Sequence, residues 1–146
     1  MTAPAPPSAP RAHTVLIVED DALVAKFYRM ALERAGGFSC VLTENVEEML
    51  EAVEAGRVHL AVLDVSLRRT EWQGRPIDGV ELTQLLKQHA FQRTGRTFPV
   101  LLATAHAMAG DRERLLAASG ADDYLEKPVY DIQELLDKVQ RLATCL

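Results

Sequence analysis

From residue 14 onward the chain alternates short apolar segments with longer amphipathic ones, and this alternation restricts the possible folds most strongly. The short runs are rich in Val, Ile and Leu and are typical of buried strands. In the longer segments apolar residues recur at helical spacing, and several of these segments end at Gly, which predicts helices. The predicted strands are 14–18, 38–43, 58–63, 99–103 and 123–125, and the predicted helices are 21–35, 45–55, 80–89, 110–119 and a fifth from 131 onward.

Strands that alternate with helices predict an α/β fold in which helices cover both faces of a parallel sheet. With right-handed crossovers, one common solution is the flavodoxin-like (βα)5 three-layer sandwich, with its five strands in the order 2-1-3-4-5. This architecture supports many functions, so the function has to be read from a site.

Length and composition limit the other possibilities. The 146 residues are 48% apolar and 25% charged, which suits one globular domain. We expect a flexible Ala/Pro-rich tail over residues 1–12 and one domain over 13–146. The net charge of −5 argues against nucleic acid as a direct partner, and no apolar run reaches membrane-spanning length. Cys40 and Cys145 are far apart, which fits a reducing cytoplasm better than a disulfide framework.

Polar side chains gather after the strand ends, at the sheet edge where open α/β sheets bind ligands. Taken singly, the carboxylates suit helix caps or turns, and the hydroxyl and the ammonium suit ordinary strand and surface positions. Taken together, crowded carboxylates repel one another, and a cation relieves that repulsion. A few oxygen ligands with open positions favour Mg²⁺. The residues are Glu19, Asp20 and Asp21 after the first strand, Asp64 after the third, Thr104 and His106 after the fourth, and Lys127 and Pro128 after the fifth.

Four segments at these strand ends resemble the receiver domain of bacterial response regulators, the CheY-like domain of two-component systems. A fifth segment, Ala107–Arg112, is similar to receivers from hybrid sensor kinases. The resemblance extends from about His13 to Cys145, and the motifs occur in the order of that family. The four segments are Val15–Asp21 (VLIVEDD), Val62–Asp64 (VLD), Pro99–Ala105 (PVLLATA) and Asp122–Pro128 (DDYLEKP).

The resemblance implies a phosphoacceptor site. Asp64 would accept a phosphoryl group from a histidine kinase or a histidine phosphotransfer protein. Mg²⁺ would be held by Asp20 directly, by Glu19 through water, by Asp64 and by the backbone carbonyl of Ser66. These assignments rest on the family's pattern.

The same resemblance implies roles for residues around the acceptor. Lys127 would offset charge on the phosphoryl oxygens, Thr104 would hydrogen-bond the phosphoryl group, and Tyr124 would change rotamer with it. The Lys127–Pro128 bond is expected to be cis. Ser66 and His106 occupy positions that tune hydrolysis of the aspartyl phosphate.

The family is a signalling family, so we expect no enzyme beyond Mg²⁺-dependent self-phosphorylation and self-dephosphorylation. The resemblance implies a cytoplasmic location, a downstream protein target and scope for a homodimer through the fourth helix, fifth strand and fifth helix. Both a separate short protein and one domain of a hybrid kinase fit the sequence, although the initial Met and the Pro-rich leader favour the former.

Two segments depart from the family's pattern. An insertion at about 68–75 separates Asp64 from Asp78–Gly79, and a long link follows the third helix over 88–97. Both are expected as solvated loops, because loops tolerate insertion easily. A second hypothesis is that Arg68, Arg69, Trp72 and Arg75 form a partner surface or lid beside the site, since Trp and Arg are frequent at binding hot spots.

Two other functions remain open. A receiver-like module that no longer uses phosphate would explain the fold without the chemistry, and the insertion could block Mg²⁺. The joint presence of five site residues speaks against it, namely Glu19, Asp20, Asp64, Thr104 and Lys127. A phosphatase of the haloacid dehalogenase type also places Asp after an apolar strand. That class needs a second Asp two positions further on, where this chain has Ser66.

Overall fold

The computed structural model describes residues 13–105, 110–144 and 146, so the predicted tail lies outside the described part. The strands are β1 (Thr14–Val18), β2 (Ser39–Leu42), β3 (Leu60–Asp64), β4 (Glu71–Trp72), β5 (Arg75–Pro76), β6 (Val100–Thr104) and β7 (Asp123–Glu126). The helices are α1 (Ala22–Met30), continued by a π-helical turn at Ala31–Ala35, then α2 (Val46–Glu54), α3 (Gly79–Thr94), α4 (Asp111–Ser119) and α5 (Ile132–Thr144).

Five parallel strands form the main sheet in the order β2-β1-β3-β6-β7. Numbered within this sheet alone, the order is 2-1-3-4-5, so the predicted flavodoxin-like topology is confirmed. β4 and β5 form a separate two-stranded antiparallel pair. Among the described residues, no helix is both long and apolar enough to cross a membrane.

Successive side chains of each strand point to opposite faces of the sheet, and helices bury both faces. Leu16 and Val18 of β1 belong to the core on the side of α2 and α3. Val15 and Ile17 belong to the core on the side of α1 and α5. With both faces covered by helices, the carboxyl ends of the strands remain as the place for a site.

The third helix is longer than the sequence indicated. Its predicted end at residue 89 is wrong, because α3 continues to Thr94 and takes up most of the expected 88–97 link. Ala90 is buried against the core and extends the apolar face of the helix by another turn. Gly95, in the left-handed conformation at φ 70°, ends the helix.

The insertion is an ordered hairpin rather than an irregular loop. Gln73 (φ 52°) and Gly74 (φ 79°) form the two-residue turn between β4 and β5, and two positive φ angles are typical of tight hairpin turns. The hairpin base is closed by the Ile77 N–H, which donates to the Thr70 carbonyl at 3.0 Å. Leu67, Thr70 and Ile77 are all buried, so this segment is fixed to the body of the domain.

α3 begins in close contact with the end of β3. The Gly79 N–H donates to the Val65 carbonyl at 2.9 Å. A Cβ added to Gly79 would lie 2.1 Å from the Asp64 carbonyl oxygen and 2.7 Å from the Val65 Cα. Both are backbone atoms that cannot rotate away, so only glycine fits here.

We therefore predict that Gly79→Ala lowers the free energy of unfolding by about 3 kcal/mol or more, because the new methyl group forces the backbone of β3 and α3 apart. Gly95→Ala is the matched control. It has open space around the added Cβ and only a left-handed φ to strain it, which is worth about 1 kcal/mol. Urea unfolding of both variants measures the difference, and equal losses would contradict the proposed steric clash.

His59 joins the start of β1 to the segment before β3. Its Nδ1 accepts the Thr14 N–H at 3.0 Å, and its ring lies edge-on to that of His13 at 5.4 Å. Burial, together with the nearby charge of His13, lowers the pKa of His59 below 6.5. The folded protein thus favours the neutral ring, whose Nδ1 lone pair accepts the hydrogen bond.

A histidine with a depressed pKa contributes stability that is present above its unfolded pKa and lost as pH falls through its folded pKa. Between about pH 7.5 and pH 5.5, wild type should therefore lose more unfolding free energy than His59→Asn, which keeps a polar side chain but does not titrate. His13→Asn should fall between them, since it removes only the smaller cause. Parallel slopes for all three proteins in urea unfolding would refute this role.

Candidate functional site

The sheet order brings four chain segments together at one edge. Asp64 is the last residue of β3, Thr104 the last of β6, Glu19 follows β1 and Lys127 follows β7. Because β1, β3, β6 and β7 are neighbours in that order and all run parallel, these residues meet at the carboxyl end of the sheet. The predicted gathering of polar groups at this edge is therefore present.

The ammonium of Lys127 lies between two carboxylates. Its Nζ is 2.6 Å from Glu19 Oε1 and 3.1 Å from Asp64 Oδ2. The Glu19 side chain is 2% exposed and that of Asp64 10% exposed, so both ion pairs are largely shielded from water. The Lys127 N–H donates to the Thr104 carbonyl at 2.7 Å, and the Lys127–Pro128 bond is cis. These contacts hold the ammonium over the strand ends.

Hydrogen bonds give the two carboxylates different pKa values. Burial, and then the hydrogen bond with Asp64, raise the pKa of Glu19 to about 7. Burial alone would also raise the pKa of Asp64, but hydrogen bonds from Glu19, the Ser66 N–H and Lys127 hold it below its ordinary value. Of the pair, Glu19 therefore takes up a proton first, and Asp64 stays ionised.

Asp20 faces the insertion. Its Oδ2 accepts a short hydrogen bond from the Arg68 N–H. Its backbone carbonyl accepts from the Arg69 guanidinium at 2.7 Å, and the same nitrogen of Arg69 is 3.0 Å from Glu44 Oε1. Its other carboxylate oxygen, Oδ1, is buried without a hydrogen-bond partner among the residues that the structure describes. One oxygen of the Asp20 carboxylate is thus hydrogen-bonded to the insertion and the other is not satisfied by the described part of the chain.

The neighbouring Asp21 caps a helix, which is one of the two roles that the sequence allowed for the acidic residues after β1. Its Oδ1 accepts from the Leu23 N–H at 2.9 Å and from the Val24 N–H at 3.2 Å, which makes it the N-cap of α1. Of the three consecutive acidic residues, Glu19 and Asp20 therefore belong to the site and Asp21 begins the helix.

The structure gives the surroundings of most of the remaining predicted site residues. Ser66 is exposed, and its N–H donates to Asp64 Oδ1 at 3.1 Å. Thr104 is buried beside the Lys127 backbone. The Tyr124 ring lies between two cations, with the Arg112 guanidinium carbon at 4.8 Å and Lys138 Nζ at 4.9 Å from its centroid. His106 lies outside the described residues.

The donor set fits a divalent cation in chemistry and charge. Three carboxylates (−3) and one ammonium (+1) leave a net charge of −2 at this edge when all are ionised, and one oxygen of Asp20 is buried without a partner among the described residues. The described part of the chain contains no group of three or more His, Cys, Asp or Glu side chains arranged to hold a metal ion, so a cation here would also need backbone oxygen or water as ligands.

Two features of the site could not be anticipated. The pairing of Arg69 with Glu44 joins loops that follow different strands, and no sequence period indicates it. Tyr28, on the apolar face of α1, is 1% exposed, and its hydroxyl has no partner among the described residues. Burial raises the pKa of Tyr28 to about 12. Of the nearby charges, that of Lys127 lowers this pKa, and those of Glu19 and Asp64 raise it. The position of Tyr28 within an apolar helix face was the sequence feature that could have indicated a buried hydroxyl near the site.

The four insertion residues singled out for a partner surface differ in their surroundings. Trp72 is half-buried and packs against the core on the side of α2 and α3. Arg69 is engaged by Asp20 and Glu44, whereas Arg75 is exposed and forms no ion pair with any residue that the structure describes. The partner surface stays a prediction, and Trp72 packs the hairpin against the core.

Lys127→Met should lower the free energy of unfolding by about 2 kcal/mol, because it leaves two buried carboxylates facing each other without a cation. Adding Asp64→Asn should restore part of the loss by removing one of the charges. The exposed Lys26→Met is the matched control and should change stability by less than about 0.5 kcal/mol. Chemical unfolding of the four proteins tests this, and equal stability of the two single variants would rule out the bridging role.

Comparison with known proteins agrees with this geometry. Residues 15–140 match the family described as the response regulator receiver domain. The response regulator MprA of Mycolicibacterium vanbaalenii is 34% identical over 128 residues, which cover 88% of this chain and 49% of MprA, so the chain spans about half the length of that relative.

Two further proteins are similar over most of their length. The polar-differentiation response regulator DivK of Brucella anthropi is 34% identical over 116 residues, covering 80% of this chain and 85% of DivK. The receiver domain of the sensor histidine kinase PA1611 from Pseudomonas aeruginosa, solved with a magnesium ion in its active-site cleft, is 27% identical at a TM-score of 0.67, covering 90% of this chain and 98% of that domain. With a buried carboxylate pair bridged by lysine at the strand ends and a family match over most of its residues, this chain belongs to the response regulator receiver domain family.

Proposed function

We propose that this chain accepts a phosphoryl group on Asp64, from a histidine kinase or a histidine phosphotransfer protein, in a Mg²⁺-dependent reaction in the cytoplasm. The observation that carries the proposal is the Lys127 ammonium bound to both Glu19 and Asp64 at the edge of the sheet. It keeps Asp64 ionised and places a positive charge where phosphoryl oxygens would accumulate negative charge.

The transfer needs one nucleophilic oxygen and a leaving group. A carboxylate oxygen of Asp64 forms the new bond to phosphorus, and the bond from phosphorus to the histidine nitrogen of the donor breaks. The electron pair of that bond stays with the imidazole nitrogen, and the product is an aspartyl phosphate. With a small acyl phosphate as donor, the carboxylate of the donor leaves instead.

The surrounding residues supply positioning and charge, which make up most of the catalysis of phosphoryl transfer. Lys127 neutralises one phosphoryl oxygen, and the Thr104 hydroxyl hydrogen-bonds another. Oxygens of Asp20, Asp64 and the Ser66 carbonyl would hold Mg²⁺ directly, and Glu19 would hold it through water; when bound, the ion would supply further positive charge beside the phosphoryl oxygens. The chemistry of these donors, hard oxygens with one Asp20 oxygen unsatisfied, favours this ion.

Phosphorylation then changes the surface through local charge. An aspartyl phosphate adds about −1.5 to −2 charge at the end of β3, which draws the Thr104 hydroxyl towards it. Tyr124 follows by leaving the two cations, Arg112 and Lys138, that flank its ring. The surface of α4, β7 and α5 is thereby remodelled, and it is the surface through which a downstream protein or a second copy of the chain would bind.

A phosphodonor protein has an apolar surface to approach beside the site. Leu23 is 79% exposed on α1 and, together with Phe27, Pro128 and Val129, lines a groove of about 420 Å³ that reaches Lys127. Apolar contact there would bring a donor histidine to the mouth of the site.

Asp64→Asn should abolish phosphorylation by a small acyl phosphate in the presence of Mg²⁺, because the amide lacks the nucleophilic oxygen. Asp137→Asn, on the exposed side of α5, should be phosphorylated like wild type. Intact-protein mass spectrometry measures the gain of one phosphoryl group, and addition of a chelator should prevent it in wild type.

The same assay separates the proposal from its alternatives. A wild-type protein that takes up no phosphoryl group, with or without Mg²⁺, would point to a phosphorylation-independent interaction module. Steady turnover of p-nitrophenyl phosphate would point instead to an aspartate-nucleophile phosphatase. Label retained by Asp64→Asn would move the acceptor elsewhere.

A further inference from the structure

The Asp20 carboxylate has two roles at the site: it is a proposed cation ligand, and it accepts a hydrogen bond from the insertion. As a ligand it would offer carboxylate oxygens to the cation, yet its Oδ2 already accepts the Arg68 N–H, which belongs to the first residue of the insertion. That hydrogen bond fixes the direction of the carboxylate, so the insertion affects how Asp20 can present its oxygens to a cation that Asp64 also holds.

The hydrogen bond is reinforced by Arg69, the next residue. One nitrogen of its guanidinium contacts both the Asp20 carbonyl at 2.7 Å and Glu44 Oε1 at 3.0 Å. Glu44 lies in the loop between β2 and α2, so Arg69 ties the insertion to two loops of the sheet edge. This tie keeps the Arg68 N–H against the Asp20 carboxylate.

The rest of the insertion is joined directly to this anchor. Arg68 and Arg69 lead into a hydrogen-bonded hairpin over residues 70–77, closed by β4 and β5 and by the bond from the Ile77 N–H to the Thr70 carbonyl, and residues 68–77 together are called the 68–77 hairpin. Thr70 is 1% exposed, but its hydroxyl has no hydrogen-bond partner in the described structure. This unsatisfied group offsets part of the stability that burial gives to the docked hairpin.

We propose that Arg69 is a positioning residue that makes the 68–77 hairpin compete with the divalent cation for Asp20. Cation binding takes the Asp20 carboxylate away from the Arg68 N–H and loosens the hairpin, and a docked hairpin weakens cation binding. The inference rests on the proposed Mg²⁺ site and adds a coupling that belongs to this chain's own insertion. Because such coupling is reciprocal, it can be measured from either side.

The test compares Mg²⁺ affinities of wild type, Arg69→Ala, Glu44→Gln and Arg75→Ala by calorimetric titration. Arg69→Ala removes the anchor and a positive charge, and both effects should tighten binding. Arg75→Ala removes a positive charge from the same hairpin at an exposed position and measures the charge effect alone. Arg69 and Glu44 are 64% and 46% exposed, so the folds of both variants should survive.

Glu44→Gln separates the anchor from simple electrostatics. Loss of a negative charge near the site should weaken cation binding if charge alone acts. Loss of the partner of Arg69 should tighten binding if the hairpin competes for Asp20. We expect Glu44→Gln and Arg69→Ala to bind Mg²⁺ about two- to fivefold more tightly than wild type, the range that an exposed ion pair provides.

Hydrogen exchange of the Arg68 amide gives a second readout that a purely structural role would not change. The amide should be protected in metal-free wild type, and saturation with Mg²⁺ should remove that protection. In Arg69→Ala the protection should already be weaker without metal.

The outcomes distinguish this inference from the proposed function. Weaker or unchanged Mg²⁺ binding by Glu44→Gln, an Arg68 amide insensitive to Mg²⁺, or no Mg²⁺ binding by wild type would each overturn the competition. If Asp64 is still phosphorylated when Glu44→Gln fails to bind Mg²⁺ more tightly, or when the Arg68 amide does not respond to Mg²⁺, the proposed function stands without the competition. Conversely, the coupled Mg²⁺ response without phosphorylation of Asp64 would support the competition and refute the phosphoacceptor role.

Discussion

The contact between the Lys127 ammonium and the carboxylates of Glu19 and Asp64 is the interaction on which the site depends. It forms only because the ends of β1, β3 and β7 lie in one shielded region, which the parallel order of the sheet and the cover of helices on both faces provide. Shielding favours the neutral form of both acids. It raises the pKa of Glu19 to about 7, whereas hydrogen bonds from Glu19, the Ser66 N–H and Lys127 outweigh it at Asp64 and hold that pKa low. Gly79 completes the arrangement by letting α3 begin directly against the carbonyl of Asp64.

The sheet could be predicted because burial on both faces leaves a strong sequence signal. Runs such as Val15–Val18 are apolar at every position, and the helices between them have one apolar face, so the alternation of strands and helices could be read from the sequence. General rules of chain connection then left the observed strand order as one common solution. The end of α3 could not be predicted as readily. Polar residues Gln88 and His89 obscured an apolar stripe that continues to Ala90, and the stop signal was Gly95. In the insertion, the Gln73–Gly74 turn was readable in principle, but no alternating apolar pattern flanked it.

The candidate site was predictable to the extent that its residues sit at strand ends. Asp64 and Lys127 are placed by backbone topology, and Glu19 by its position directly after β1, so sequence position translated into spatial position. The state of Asp20 was not predictable, because it depends on the Arg68 N–H and on Arg69, which pairs with Glu44 in another loop. Contacts between loops depend on the path of each loop, and neither periodicity nor spacing encodes that path.

The electrostatics of this edge explain why the carboxylate of Asp20 meets a backbone N–H. Three carboxylates lie at this edge, the Lys127 ammonium contacts only those of Glu19 and Asp64 among them, and burial makes the remaining negative charge unfavourable. A proton on Glu19, a hydrogen bond to Asp20 and a bound cation are three ways of offsetting the same excess. The proton comes from solvent, and the hydrogen bond comes from the backbone of the insertion. If a cation takes the Asp20 carboxylate from the Arg68 N–H, as proposed above, the insertion is released with it. Charge at the strand ends is then linked to the conformation of a surface segment through a single carboxylate.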